Sequence, residues 1–474
     1  MHIHIIGICG TFMGSLALLA RGMGMKVTGC DLNVYPPMSD QLHSFGIKLI
    51  EGFAQDQSQL KPDLWVIGNV ATRTFPIIEL ILNEKLPYIS GPSFLSNYIL
   101  KNHDVIAVSG THGKTTTSSI LAWIFEFSGY KPGFLIGGLP HNFGISARNG
   151  KEGGIFVVEA DEYDTAFFDK RSKFLHYTPK VAILNNLEFD HADIFCDLRE
   201  IENQFHHWIK TIPSKSKIII NKNSDSLAKL VDRGIWSEIE YFNIKDGWRY
   251  KNLDDLNESS TNFKNLDDPY ETFLINDNKN NELKISTHLL GEHNKSNILA
   301  AVAAAKSMGV PLTEIVESLK YFQGIKKRME LKGEIKGVKV FDDFAHHPTA
   351  IKATIQAAKK KYISITGLTK TTKKNGKLLV VFEPRSNSMK IGAMQDQLAE
   401  AFIDADMVFI YNNNLNWDLK KLFSALNPSP KIFTKIDQMI NQIINHSATG
   451  DIILIMSNGS FEGIHNKILN KLTD

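Results

Sequence analysis

Residues 105–117, VIAVSGTHGKTTT, limit the fold of this chain more tightly than any other stretch. An apolar run over 105–108 passes through Gly110-Thr111-His112-Gly113-Lys114-Thr115 into a helix-compatible run over 118–127. Strand, glycine turn, Lys-Thr and helix in that order make a phosphate-binding loop. The glycines let the backbone bend until its N–H groups point at phosphate oxygens. Lys114 reaches the terminal phosphates as a point charge, the Thr115 hydroxyl is placed for Mg²⁺, and the helix adds its positive end. The full Walker pattern is not met, because Val108 stands where the first glycine belongs.

A chain of 474 residues has room for about three domains around such a loop. With 43% apolar and 22% charged residues and a formal charge of +2, it has an ordinary globular composition. Nothing in that balance argues for a nucleic-acid or membrane-surface partner. Cys9, Cys30 and Cys196 are too few and too scattered for a disulfide or zinc framework, so a reducing compartment fits. The opening MHIHIIGICG enters a strand directly, without the basic start of a signal peptide. With no apolar run of about 18 residues, a cytoplasmic location is expected.

The first segment begins as βαβ: a strand over 2–6, a glycine turn over 7–14, a helix over 15–23 and a strand over 26–30 ending at Asp31. Cys9 and Phe12 replace glycines of the dinucleotide fingerprint, so the turn suits a diphosphate without specifying NAD. Arg73, in the loop after a strand over 64–67, reads equally as a phosphate contact or a solvated arginine. A helix over 93–100 leads to the phosphate loop. In the second segment, strands over 155–158 and 181–184 end in Glu159-Ala160-Asp161-Glu162 and in Asn185-Asn186 with Asp190-His191. Carboxylates and a histidine at the carboxyl ends of parallel strands face the same crevice as the loop, which makes Glu159 and His191 the candidate Mg²⁺ ligands. Residues 244–281 read as a peripheral antiparallel excursion. His293-Asn294 and Asn297 open an alanine-rich helix over 298–308, with Asn294 or Ser296 as its cap. The third segment repeats the strand–helix rhythm. Its strands over 338–341, 378–382 and 452–456 end in polar clusters: Asp343 with His346-His347-Pro348, Glu383-Pro384-Arg385-Ser386-Asn387, and Ser457-Asn458-Gly459. A helix is expected over 395–402. The basic stretch 369–377 reads as an exposed loop.

These motifs, in this order and across all three segments, resemble the Mur ligases, the ATP-dependent amide-forming enzymes of bacterial cell-wall synthesis. The resemblance implies an α/β protein of three domains. Residues 1–98 would be a Rossmann-like domain for UDP-N-acetylmuramate, 99–322 a central P-loop-type ATPase, and 323–474 a Rossmann-like domain bringing the amine. It puts Gly110, Thr111, His112, Gly113, Lys114, Thr115, Thr116, Asn294, Asn297, Arg328, Asp343 and His347 around ATP, and Thr115, Glu159 and His191 on Mg²⁺. It makes Lys114, Thr115, Glu159 and His191 the catalytic set. Gly10, Thr11, Met13, Asp31, Ser39, Asn69, Thr72, His141 and Asn142 belong to the UDP-sugar side. Arg385, Ser386 and Asn387 belong to the peptide side, with Arg385 gripping a peptide carboxylate through two parallel hydrogen bonds. Stretches 7–14, 31–39 and 382–387 resemble the members that attach L-alanyl-γ-D-glutamyl-meso-diaminopimelate, in peptidoglycan recycling. Ligation of L-alanine alone is the alternative within the family. Several members hold their second metal with a carbamylated lysine beyond the histidine. Here that neighbourhood is Gln204-Phe205-His206-His207, with no lysine before Lys210, so no carbamate is expected. A monomer or weak homodimer is expected. An NAD(P)-dependent oxidoreductase would leave Lys114, Thr115, Glu159 and His191 without a task, and so would a non-catalytic UDP-sugar-binding protein.

Overall fold

Strands that are apolar along their whole length need cover on both faces, and helices supply it to three successive sheets. The computed structural model describes residues 1–474 except 33, 35–37, 254–269, 364–375, 414, 416, 425 and 474. Parts of the stretches 31–39, 244–281 and 369–377 therefore lie outside the described residues.

The first sheet runs Lys48–Glu51, Lys26–Asp31, His2–Ile6, Leu64–Ile67, Tyr88–Ser90, all parallel. Its strand order reverses between His2–Ile6 and Leu64–Ile67, and ligands of open α/β sheets bind outside the carboxyl ends at such a point. The glycine turn feeds the helix Thr11–Gly22, which begins four residues earlier than position 15. The single helix expected over 93–100 is broken instead into Gly91–Phe94, a π turn Leu95–Ile99 and a 3₁₀ turn Leu100–Asn102. The wider turn keeps Phe94, Leu95, Ile99 and Leu100 all buried, a burial that outweighs regular hydrogen bonding.

The central sheet has seven strands in the order Glu238–Phe242, Lys217–Asn221, Val181–Leu184, Asp104–Ser109, Ile155–Glu159, Gly133–Leu135, Ala147–Arg148. Only the last is antiparallel to its neighbour. The phosphate-loop strand lies between the two strands that end in Glu159 and Asn185, so these three ends are adjacent. Beside this sheet the excursion forms a three-stranded antiparallel sheet, Arg249–Asn252, Glu271–Asn276 and Glu282–Thr287. The alanine-rich helix spans Glu292–Ser307 and is capped by Gly291 at φ 91°, not by Asn294 or Ser296. Its small side chains let it pack closely on the helix Lys114–Phe127.

The third sheet runs Glu330–Ile335, Val338–Asp343, Ile452–Met456, Leu378–Phe382, Met407–Tyr411, Lys431–Phe433, with only the first strand antiparallel. The helix expected over 395–402 is two short pieces, Gln395–Leu398 and Glu400–Phe402. Among the described residues no helix is long and apolar enough to cross a membrane.

Candidate active site

The helix after the phosphate loop starts at Lys114 itself. The first-turn N–H groups of a helix have no partner within it. Those of Lys114, Thr115 and Thr116 therefore open into a cleft of about 1160 Å³ between the central and third units. Gly113 adopts φ 79°, and a Cβ there would collide with the Asn297 side-chain oxygen, so glycine is required for both reasons. The loop is laced to the adjacent strand end. His112 N donates to Asn186 Oδ1 at 2.7 Å, and Glu188 N donates to Thr111 Oγ1 at 2.8 Å. Beneath it, Asn185 Nδ2 donates to Thr117 Oγ1 at 3.0 Å, and that hydroxyl donates to Asn297 Oδ1 at 3.3 Å. Asn297 Nδ2 in turn donates to Asn294 Oδ1 at 3.2 Å. Asn294 and Asn297 thus brace the loop from the neighbouring helix.

The charges above the loop fall into two groups. Thr115 Oγ1 donates to Glu159 Oε1 at 3.0 Å, and Gly137 N donates to Glu159 Oε2 at 2.7 Å. Burial pushes the Glu159 carboxyl up despite the nearby Lys114 charge. Lys114 Nζ donates to Glu162 Oε2 at 2.7 Å and to Gly110 O at 2.7 Å, and lies 3.7 Å from Asp161. Burial works against this ammonium, but Glu162 and Asp161 hold its pKa above the ordinary value. His191 Nε2 is 3.0 Å from the other Glu162 oxygen, and this contact overcomes burial to raise the imidazole pKa. Asp161, Glu162 and His191 form one of two groups of ligand atoms at metal-binding spacing among the described residues; His112, Glu188 and His347 form the other. His191 therefore groups with Glu162, and Thr115 with Glu159. All three expected residues, Thr115, Glu159 and His191, stand at this end of the loop, Thr115 bonded to Glu159 and His191 beside Glu162. Asp161 and Glu162 were visible in the sequence only as acidic neighbours of Glu159.

His191 adopts a left-handed backbone, φ 56°, rare for a residue with a side chain. Its N–H donates to Asp190 Oδ1 at 2.7 Å. From the third unit, the buried Ser388 hydroxyl donates to the same oxygen at 3.1 Å and accepts from Ala192 N at 3.2 Å. Burial alone would raise the Asp190 carboxyl, but His191, His346 and His347 bring it down to about 2. Asn387 Nδ2 donates to Asp193 Oδ2 at 2.8 Å. Asn387 and Ser388, consecutive residues of the third unit, thus grip the turn that carries His191. Ser388 was visible in the sequence only as the last of the polar residues that follow the strand over 378–382.

His112, Glu188 and His347 meet across the same seam, with the two imidazole rings 4.4 Å apart. Burial opposes the charge on Glu188, but His112 and the Thr349 hydroxyl draw its pKa down to about 2. His347 caps the helix Pro348–Ala358 through Nδ1, and its Nε2 donates to Phe189 O at 3.2 Å; burial lowers its pKa to about 4. Asp343 accepts from Met329 N and Ala345 N, each at 2.8 Å, so its oxygens shape the third unit's edge of the cleft. Arg328 lies over the Phe344 ring, 5.0 Å from its centre, and lines the cleft.

The remaining expected residues lie elsewhere. None of Gly10, Thr11, Met13, Asp31, Ser39, Asn69 and Thr72 lines this cleft; Asp31 ends a strand of the first unit, and the others lie in its loops and helix starts. Met13 is buried beneath Gly68 and Gly91, while Asp31 Oδ2 accepts from Cys9 N at 2.9 Å and braces the glycine turn. Arg73 pairs with Glu79 at 2.7 Å and is largely exposed, which is the solvated alternative. His141 reaches the cleft, whereas the Asn142 amide is engaged by Tyr321 O and Gln323 N. Arg385 is exposed and lies against Gly459, and Ser386 caps the short helix Asn387–Lys390. In the neighbourhood 204–207, Phe205 packs on Phe174, with ring centres 4.9 Å apart.

Three family models match the chain: the Mur ligase family catalytic domain over residues 2–103, the Mur ligase middle domain over 108–305, and the Mur ligase glutamate ligase domain over 327–459. An Escherichia coli (strain K12) protein called UDP-N-acetylmuramate–L-alanyl-γ-D-glutamyl-meso-2,6-diaminoheptandioate ligase is 46% identical over 473 residues, 100% of this chain and 98% of its own. A Haemophilus influenzae protein of the same name is 42% identical over 472 residues, 99% of each chain. The crystal structure of a murein peptide ligase from Psychrobacter arcticus superposes with a TM-score of 0.73 at 43% identity, covering 100% of this chain and 99% of that one.

Proposed function

We propose that this chain, which belongs to the Mur ligase family, joins the tripeptide L-alanyl-γ-D-glutamyl-meso-diaminopimelate to UDP-N-acetylmuramate using ATP and Mg²⁺. The observation that carries the tripeptide, rather than L-alanine alone, is the likeness to tripeptide ligases along the whole chain, third unit included. Cytoplasmic chemistry on a nucleotide-linked precursor fits this reading, and it assigns residues 1–98, 99–322 and 323–474 to the UDP-sugar, the nucleotide and the peptide.

A carboxylate becomes an electrophile only when one of its oxygens is made a leaving group. A muramoyl carboxylate oxygen attacks the γ-phosphorus of ATP and ADP departs, leaving an acyl phosphate. The tripeptide amine attacks the acyl carbon, the tetrahedral adduct collapses, and phosphate leaves as the nitrogen loses a proton. Lys114 exchanges Glu162 for the γ-phosphate and neutralises charge there. The loop N–H groups cradle the remaining phosphates, and Arg328 faces them from the third unit. The donors suit Mg²⁺, being mostly oxygens with one imidazole: Thr115 and Glu159 in one set, His191 with Asp161 and Glu162 in the other. Held by these residues, Mg²⁺ would supply positive charge against the phosphate oxygens. Buried Asn185 Oδ1 and His293 Nδ1, unpartnered among the described residues, fit a site that completes its bonding with a polar ligand.

Incubation with ATP, UDP-N-acetylmuramate and equal L-alanine and tripeptide, read by mass spectrometry, tests the substrate. The tripeptide product is expected; a product carrying alanine alone would overturn the choice and keep the family. Exposed Arg385 is free to take a peptide carboxylate. Replacing it by alanine should raise KM for the tripeptide about 10- to 100-fold, the worth of one charge-assisted pair. An unchanged KM would remove it from the peptide site.

A further inference from the structure

A hairpin that composition does not announce clasps the first unit to the second. Its strands, Asp164–Ala166 and Asp169–Ser172, leave the central unit. Phe167 packs into an apolar cluster of the first unit, and Phe168 meets Tyr88 edge-on with ring centres 5.1 Å apart. Beyond it, His176 Nδ1 lies 3.1 Å from Ser93 Oγ. Lys173 stands where the hairpin ends, its side chain only 11% exposed.

The Lys173 ammonium lies 5.3 Å from the ring centre of Phe12, in the first turn of the helix Thr11–Gly22 that follows the first unit's glycine turn, and 5.3 Å from that of Tyr163. It donates to Asp161 Oδ2 at 3.0 Å, and the other Asp161 oxygen lies 3.7 Å from Lys114 Nζ. One carboxylate therefore separates two ammonium groups. Lys114 belongs to the phosphate loop; Lys173 faces the turn where the UDP-sugar enters. An ammonium has three donors and Asp161 takes one. The two aromatic faces hold the cation in place without using up a hydrogen bond.

We propose that Lys173 binds an anionic oxygen of the UDP-linked sugar acid as that substrate crosses from the first unit to the phosphate loop. This rests on the ligase reading above. The substrate carries two such groups, its diphosphate and its carboxylate. A cation at this place, beside the charges already set against the polyphosphate of ATP, offsets the repulsion between that polyphosphate and the incoming substrate.

Calorimetric titration of the full-length protein with UDP-N-acetylmuramate, and separately with UDP-N-acetylglucosamine, which lacks the carboxylate, tests this. Lys173→Met should weaken UDP-N-acetylmuramate binding about 10- to 100-fold, and Lys173→Arg should recover most of it. Equal weakening for both ligands places the diphosphate on Lys173; weakening for the muramate alone places the carboxylate there. Wild-type affinity in Lys173→Met overturns the proposal. So does recovery in the Asp161→Asn, Lys173→Met double variant, which would make Lys173 a mere neutraliser of Asp161. If Lys173→Met melts too low to titrate, Lys173→Gln carries the same comparison. Failure of the wild-type protein to ligate tripeptide would remove the ligase reading and leave these binding ratios standing.

Discussion

Replacing Lys114 by methionine is expected to lower kcat for tripeptide ligation roughly 10³-fold, the upper range for one aimed donor at a developing charge. No other ammonium touches both the loop carbonyl of Gly110 and the metal-side carboxylate Glu162 among the described residues. The loss should appear in kcat more than in KM for UDP-N-acetylmuramate, because the lysine acts where phosphoryl charge shifts. The variant also strands Glu162, only 2% exposed, with His191 as its remaining partner. A thermal melt must therefore accompany the kinetics. A folded Lys114→Met protein that still forms product at a tenth of the normal rate would take the lysine out of the chemistry.

Glu159→Gln carries the second large effect. The amide oxygen can still accept from Thr115 or Gly137, so the local shape survives while the charge is lost. The Mg²⁺ concentration for half-maximal rate should rise roughly tenfold or more, with part of the rate recovered at high Mg²⁺. Stability should move the opposite way. A carboxyl whose folded pKa is raised contributes most below its unfolded pKa and loses that contribution as pH climbs through the folded value. At neutral pH the buried charge is a cost, so Glu159→Gln should melt at the same temperature or higher. A lower melting temperature with unchanged Mg²⁺ dependence would make Glu159 structural.

Much of this architecture was legible because it is written locally. Val105 to Lys114 announces strand, turn and helix, and apolar runs such as 181–184 and 452–456 become central parallel strands. The polar clusters that end them meet because parallel strands share one carboxyl edge. What stayed hidden depends on side-chain aim. Glu159 ends its strand, and Ala160 to Glu162 follow it in irregular backbone, where no periodicity says which carboxylate meets His191. The hairpin over 164–172 is short and charged, with alternation too brief to register. The helix over 93–100 has a plausible pattern, yet packing forces it through a π turn. Ser388 could be read as one polar residue after a strand but not as the partner of Asp190, since a hydroxyl becomes informative only once its partner lies opposite it.

The grip of Asn387 and Ser388 on the His191 turn has a thermodynamic consequence. The segment that carries Arg385 and the turn that carries His191 share hydrogen bonds, so neither can shift alone. Occupancy of one side changes the free energy of arranging the other, and such coupling is reciprocal. Whatever factor the nucleotide adds to tripeptide affinity, the tripeptide must return to the nucleotide.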